Sequence, residues 1–191
     1  MQHRAHKPLE SARYPVLPAM TLAEFCGVIG AVLDGVPDHA APALAARYLP
    51  GLLASPALLS LEQRQPPAKG YGRHCVFACP QERFSVVAMV WPAGFTSPIH
   101  DHATWCAFGV YEGSIEERRF LPASDDPADA RAIETERLVH RAGMATHLPA
   151  DASNIHAMHN PGDRPTISVH VYGGDSNKLG PNLKKVWSVE A

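Results

Sequence analysis

Residues 94–120 read GFTSPIHDHATWCAFGVYEGSIEERRF, and at the centre of that stretch stands His100-Asp101-His102. Side chains alternate faces along a strand, so His100 and His102 point the same way, with Asp101 behind them. Two imidazoles on one face are half of a transition-metal site. Pro98 ahead of the pair, and Gly109 and Gly113 after it, argue against a continuous helix. The plain alternative is a pair of solvent-facing histidines in a loop, since short motifs also match by chance.

The wider spacing weighs against that alternative. Gly94 lies six residues before His100, and Gly113 lies eleven after His102. This arrangement resembles the first cupin motif, with Cys106 in the slot where glutamate is usual. GMATHLPADASNIHAMHN, residues 143–160, is a partial match to the second cupin motif. Gly143 and Pro149 keep their mutual spacing, as do His156 and Asn160; two extra residues separate the halves, and Ser153 stands where glycine is usual. The resemblance covers roughly residues 70–175. It implies a mainly β chain, a cupin double-stranded β-barrel (jelly-roll), with an N-terminal helical layer. It also implies a third histidine ligand, His156, beside His100 and His102. His159 would face the other way on a strand and is the weaker candidate.

Composition sets the outer bounds. At 191 residues, with 46% hydrophobic and 19% charged residues, the chain fits one ordinary globular core. A formal charge of −2 gives no electrostatic ground for a nucleic-acid or anionic-membrane partner. Residues 1–20 hold no apolar signal-peptide core, and no apolar run approaches a membrane span. Cys26, Cys75, Cys79 and Cys106 form no C-x-x-C pair, so free thiols in a reducing cytoplasm are expected. Oligomeric state stays open.

Along the chain, residues 1–20 read as a flexible arm punctuated by Pro8, Pro15 and Pro18, and 21–191 as one cupin domain, with helices over about 21–65 and the barrel over about 70–191. Thr21-Leu22-Ala23-Glu24 fits a capping box, and Leu22, Phe25, Cys26, Ile29 and Leu33 share one helical face. A second helix runs from Pro42 to Leu49, ended by Pro50, and Ser55-Pro56 opens a short third. From Tyr71 the texture turns to β. Tyr71, Arg73, Cys75, Phe77 and Cys79 fall on one face, and Phe84–Trp91 is apolar on both. Strands follow over His100–Val110, Ser114–Phe120, Ile133–Val139, Met144–Leu148, Ile155–His159 and Thr166–Tyr172, with a polar loop over 122–130. The stretch 182–189 reads as an edge strand anchored by Trp187.

Four separate stretches then narrow the resemblance. His100-Asp101-His102 with Cys106, His156 with Asn160, Ser168-x-His170-x-Tyr172, and Tyr71-x-Arg73 together resemble the cysteine dioxygenase family of thiol dioxygenases, bacterial type. That resemblance implies Fe(II) on His100, His102 and His156, a small thiol and O2 as substrates, and a sulfinic acid as product. It also implies catalytic roles for Ser168, His170 and Tyr172, and a thioether cross-link between Cys106 and Tyr172 in some members. Cys106 is otherwise a small core residue or a reactive thiolate. Ser168, His170 and Tyr172 share one strand face and can form a hydrogen-bonded row; they could equally be a satisfied polar face. Arg73 is a permanent planar cation suited to a substrate carboxylate, with Tyr71 on its face, although a surface ion pair is the commoner fate of arginine.

The substrate expected from Arg73 is L-cysteine. Gly173-Gly174-Asp175, however, follows Tyr172 as in bacterial 3-mercaptopropionate dioxygenases, which usually carry glutamine at the arginine position. Mercaptosuccinate is a third candidate. Outside this class stand another metallocupin enzyme and a non-catalytic, ligand-binding metallocupin.

Overall fold

The computed structural model describes residues 9–10, 14–148, 154–180 and 183–190. Its elements are β1 (Leu9–Glu10), α1 (Leu22–Val32), α2 (Ala41–Leu53), β2 (Gly72–Ala78), β3 (Phe84–Trp91), β4 (Ile99–His102), β5 (Cys106–Glu112), β6 (Ser114–Pro122), β7 (Arg131–Arg141), β8 (Ala145–Leu148), β9 (Ile155–His159), β10 (Thr166–Gly173), α3 (Ser176–Leu179) and β11 (Leu183–Val189). Every residue of β3 and β10 is buried. They are neighbours inside a five-stranded antiparallel sheet ordered β2-β3-β10-β5-β8. A second sheet is ordered β1-β7-β11-β4-β9-β6, and a further β6–β7 pairing ties its far strand back to β7. Inner-facing Val87, Met89, Phe108 and Val110 of the first sheet pack with Ile115 and Met158 of the second. This is the cupin double-stranded barrel.

The helices cover the other face of the five-stranded sheet. Phe25, Ile29, Leu49 and Leu52 share a core with Val86, Ala88, Val169 and Val171. Both hydrogen bonds of the Thr21–Glu24 capping box form. The second helix does not stop at Pro50: it runs to Leu53 with the proline inside it. An interior proline costs about 3 kcal/mol. Continuing one more turn buries Leu52 and Leu53, at about 1.5–3 kcal/mol each, so burial outweighs the lost bond. Ser55-Pro56 opens no helix. The segment is a series of turns in which Ser60 and Gln63 bond reciprocally, main chain to side chain at 2.9 and 3.2 Å.

Three further expectations are corrected. First, β2 carries a register shift between Cys75 and Phe77. Cys75 pairs with Val87, whereas Phe77 pairs with Val86 and packs into the helix-side core, so Tyr71, Arg73, Cys75, Phe77 and Cys79 do not share one face. A bulge inserts one residue and flips every later side chain. Second, the strand expected from His100 to Val110 is two strands, β4 and β5, separated by a turn at Ala103–Trp105. Third, β11 is not an edge. It lies between β7 and β4, with Val186 opposite His100 and Trp187 opposite Ile99. Only its Lys185 and Trp187 are half-buried; the rest of the strand is exposed although it is paired on both sides.

Of the arm expected over 1–20, residues 1–8 and 11–13 lie outside the described residues, as does Ser153. Leu9–Glu10 pairs in parallel with Leu138–Val139, and the Tyr14 hydroxyl lies 3.1 Å from His147 Nδ1. No helix among the described residues is long and apolar enough to cross a membrane.

Candidate metal centre

His100 and His102 sit on β4, and the one register pair between β4 and β9 sets His156 opposite His100. All three are buried, and their ligand atoms converge within 4.8 Å of one another. Nε2 of His102 lies 3.1 Å from Nε2 of His100 and 3.1 Å from Nε2 of His156. The tautomers follow from the other ring nitrogens. His100 Nδ1 is 2.9 Å from the Pro98 carbonyl oxygen, which only accepts, so Nδ1 carries the hydrogen. His156 Nδ1 is 3.0 Å from the Glu117 carboxylate and carries its hydrogen for the same reason. Both Nε2 atoms are therefore bare lone pairs aimed at a third nitrogen, and one His102 N–H could satisfy only one of them. A cation among the three satisfies all. Burial first, then repulsion from His156, pushes His100 down to about 3; His102 is likewise pushed well below the ordinary range. A donor set of three imidazole nitrogens suits a divalent first-row transition ion. His159 bonds to Thr96 instead, Nδ1 to Oγ1 at 2.9 Å, and is not in the cluster.

Two residues of this centre escape the sequence reading. Glu117 faces inward on β6 with Ile115 and Arg119 and is fully buried. It accepts from His156 Nδ1 at 3.0 Å, His140 Nε2 at 2.9 Å and Arg119 Nη2 at 3.0 Å. Burial alone would raise its carboxyl; the bonds from His140 and His156 and the Arg119 charge overrule this and hold it well below the usual carboxylate range. The inward alternation Ile115, Glu117, Arg119 is the signal that could have found it. Asn154, also buried, accepts the His102 backbone N–H at 3.3 Å. Asn160, by contrast, knits the loop after β9: its Nδ2 donates to carbonyls of Trp91, Pro92 and Arg164 at 2.8–3.1 Å.

Across the cavity, β10 presents Ser168, His170 and Tyr172 in a row that begins one residue earlier than expected, at Trp91. Trp91 Nε1 lies 2.7 Å from Ser168 Oγ, Ser168 Oγ 2.8 Å from His170 Nε2, and His170 Nδ1 3.2 Å from Tyr172 Oη. Indole N–H only donates, so Ser168 accepts there, which leaves its own hydrogen available to His170 Nε2. With that hydrogen on Nε2, neutral His170 carries its own on Nδ1, toward Tyr172. His170 is neutral because burial, then repulsion from His156 and His100, pushes it down to about 3. Tyr172 keeps its proton, its hydroxyl raised by burial and then by Cys106. The Tyr172 hydroxyl also bonds to the Cys106 thiol, and its ring lies 5.4 Å from the His102 ring between centroids. Cys106 is directly opposite Tyr172 in the β5–β10 register, fully buried, with its thiol raised by burial and then by the Glu117 charge.

Tyr71, stacked on Trp91 at 5.1 Å, lines the cavity together with the three histidines, His170 and Tyr172. Arg73 lies opposite Met89, another lining residue, and its charge is felt at His170 and Tyr172. One Nη2 bond at 3.1 Å to the Ser176 carbonyl orients it, and its buried Nε has no partner among the described residues. Arg73 is thus a neighbour of the cavity lining rather than part of it, and no ion pair engages it among the described residues.

The sequence profile described as "Cysteine dioxygenase type I" matches residues 68–178. The chain belongs to that family. Membership places it among thiol dioxygenases as a class without naming the thiol, and the match spans Tyr71, Arg73, His100, His102, His156 and the β10 row. Similar solved structures include a protein from Thermus thermophilus (18% identity, TM-score 0.46, 59% of this chain and 91% of that one). Another is the cupin domain of Cnp3 from Schizosaccharomyces pombe (15%, 0.44, 64% and 77%). A third is a Cupin 2 conserved barrel domain protein from Salinispora arenicola (19%, 0.43, 60% and 86%).

Proposed function

We propose that the chain is a non-haem Fe(II) thiol dioxygenase that converts L-cysteine to cysteine sulfinic acid, adding both atoms of O2 to the sulfur. His100, His102 and His156 hold the iron. When bound, iron supplies open coordination positions for sulfur and O2 on one cation. Arg73 orients the substrate by its carboxylate, with Tyr71 closing the wall beside it. Tyr172, aimed by Ser168 and His170, donates a hydrogen bond toward the reacting atoms. The observation that carries this reading is the convergence of the Nε2 atoms of His100, His102 and His156, the first and last of them bare, in one cavity with the Tyr172 side chain.

The Gly173-Gly174 continuation has packing reasons of its own. A Cβ at Gly173 would sit 2.5 Å from the Trp105 indole nitrogen, and Gly174 has φ +95°. It therefore does not favour 3-mercaptopropionate over cysteine. The test is metal analysis of the purified protein, then O2 consumption and product mass with cysteine, 3-mercaptopropionate and mercaptosuccinate. Iron with cysteine leading in kcat/KM is expected. A tenfold lead for either other thiol replaces the substrate; no O2 uptake with any of them leaves a ligand-binding metallocupin.

A further inference from the structure

We propose that Glu117 is the positioning residue of this metal centre, fixing His156 as a ligand and supplying the negative charge that its ligand set lacks. The inference rests on the histidine triad being a metal site. The slot where a cupin glutamate would ligate holds Cys106, whose thiol is buried and kept protonated. A centre of three neutral imidazoles therefore has no anionic ligand of its own. The buried carboxylate stands one imidazole further out, on the next strand.

Its placement follows from the sheet. β6 lies between β7 and β9, with Ile115 opposite His140 and Arg119 opposite His156. Glu117 falls between those pairs on the same inward face, so both histidines are its diagonal neighbours, within reach of a long side chain. Three donors converge on its two oxygens: His156 on Oε1, His140 and Arg119 on Oε2. A fully buried carboxylate persists only when its oxygens are occupied in this way.

The carboxylate does two things for His156. It holds the hydrogen on Nδ1, which leaves Nε2 bare toward His100 and His102, and it locks the ring plane. It also draws that hydrogen toward itself, which makes the ring a stronger electron donor at Nε2. Leaving the ligand slot to Cys106 keeps the carboxylate from occupying a coordination position, so charge and openness are both retained. His140 is held edge-on to Phe108 at 5.0 Å and serves to fix Glu117 from the far side. Arg119 reaches on to Thr146 Oγ1 at 3.1 Å and so anchors the opposite oxygen.

Co(II) titrated into the metal-free protein, followed by its visible absorption, tests the proposal without reading turnover. Glu117→Gln removes the charge at nearly constant shape and should weaken Co(II) binding about 10–100-fold. Glu117→Asp keeps the charge and should recover part of the loss. Wild-type affinity in Glu117→Gln, even with a lowered Tm, would show a purely structural role. If that variant does not fold, long-range 15N–1H spectra of histidine-labelled wild type decide instead: His156 must be protonated at Nδ1, and an Nε2–H form overturns the proposal. Failure of every thiol to consume O2 would sink the proposed activity and leave this inference standing. A wild type that binds no Co(II) would sink the metal-centre reading and the inference with it.

Discussion

Ser168→Ala should damage stability and turnover together, for reasons the row on β10 makes separable. The serine oxygen accepts from Trp91 at 2.7 Å and donates to His170 at 2.8 Å, all three residues being buried. Removing it orphans one donor and one acceptor. Each buried orphan costs about 1–3 kcal/mol, so the metal-free protein should lose roughly 2–6 kcal/mol. The catalytic loss has another origin. Without the Ser168 hydrogen, His170 is free to carry its own on Nε2; its Nδ1 then accepts the Tyr172 hydrogen and turns that O–H inward. A fall in kcat of about 100–1,000-fold, or ~2.7–4 kcal/mol, is the expected size of losing one oriented donor. KM should barely move, because Arg73 and Tyr71 lie on another strand. O2 uptake by iron-loaded protein gives kcat and KM, thermal unfolding gives stability, and 15N shifts of His170 report its tautomer. Full kcat beside a lowered Tm would refute the reasoning and reduce the row to packing.

Arg73→Ala should lower kcat/KM by about 30-fold or more, since losing a buried charged contact costs about 2–5 kcal/mol; Arg73→Gln should retain part of the activity and shift preference toward 3-mercaptopropionate. Equal kcat/KM in wild type and Arg73→Ala would remove Arg73 from substrate binding. If Cys106 and Tyr172 are cross-linked, the intact mass should fall by two hydrogens and Cys106→Ala should abolish the change; an unshifted wild-type mass means a free thiol. The metal-free protein should lose stability as pH falls below about 6.5 toward 4. His100 and His170, both pushed down to about 3 chiefly by burial, stay neutral when folded while the unfolded chain takes up their protons. A Tm unchanged between pH 7 and 5 would contradict that.

The parts legible in the sequence are those carried by local pattern. Phe84–Trp91 and Ile155–His159 have the bounds expected from alternation, and the Thr21 capping box forms as written. The spacing of His100, His102 and His156 likewise survives folding as a cluster. What is illegible depends on neighbours distant in sequence. The bulge in β2 is set by pairing with β3, and the passage of α2 through Pro50 by what Leu52 and Leu53 bury. Glu117 reads as one more charge in a polar run, because only the crossing of β7 and β9 around β6 shows what its carboxylate meets. Trp91 reads as a strand end for the same reason.

The pairing of β11 with β4 bears on how the protein matures. The Lys185 backbone N–H donates to the Asp101 carboxylate at 2.6 Å, a contact between positions 84 residues apart in sequence. Leu183, at the head of the same strand, lines the cavity beside the three histidines. A chain leaving the ribosome thus exposes the first ligand motif well before the strand that braces it has been made. Until then β4 has a bare flank, and its imidazoles face whatever ions the surroundings offer. The cavity therefore gains its final wall, from Leu183, only once β11 has docked on β4.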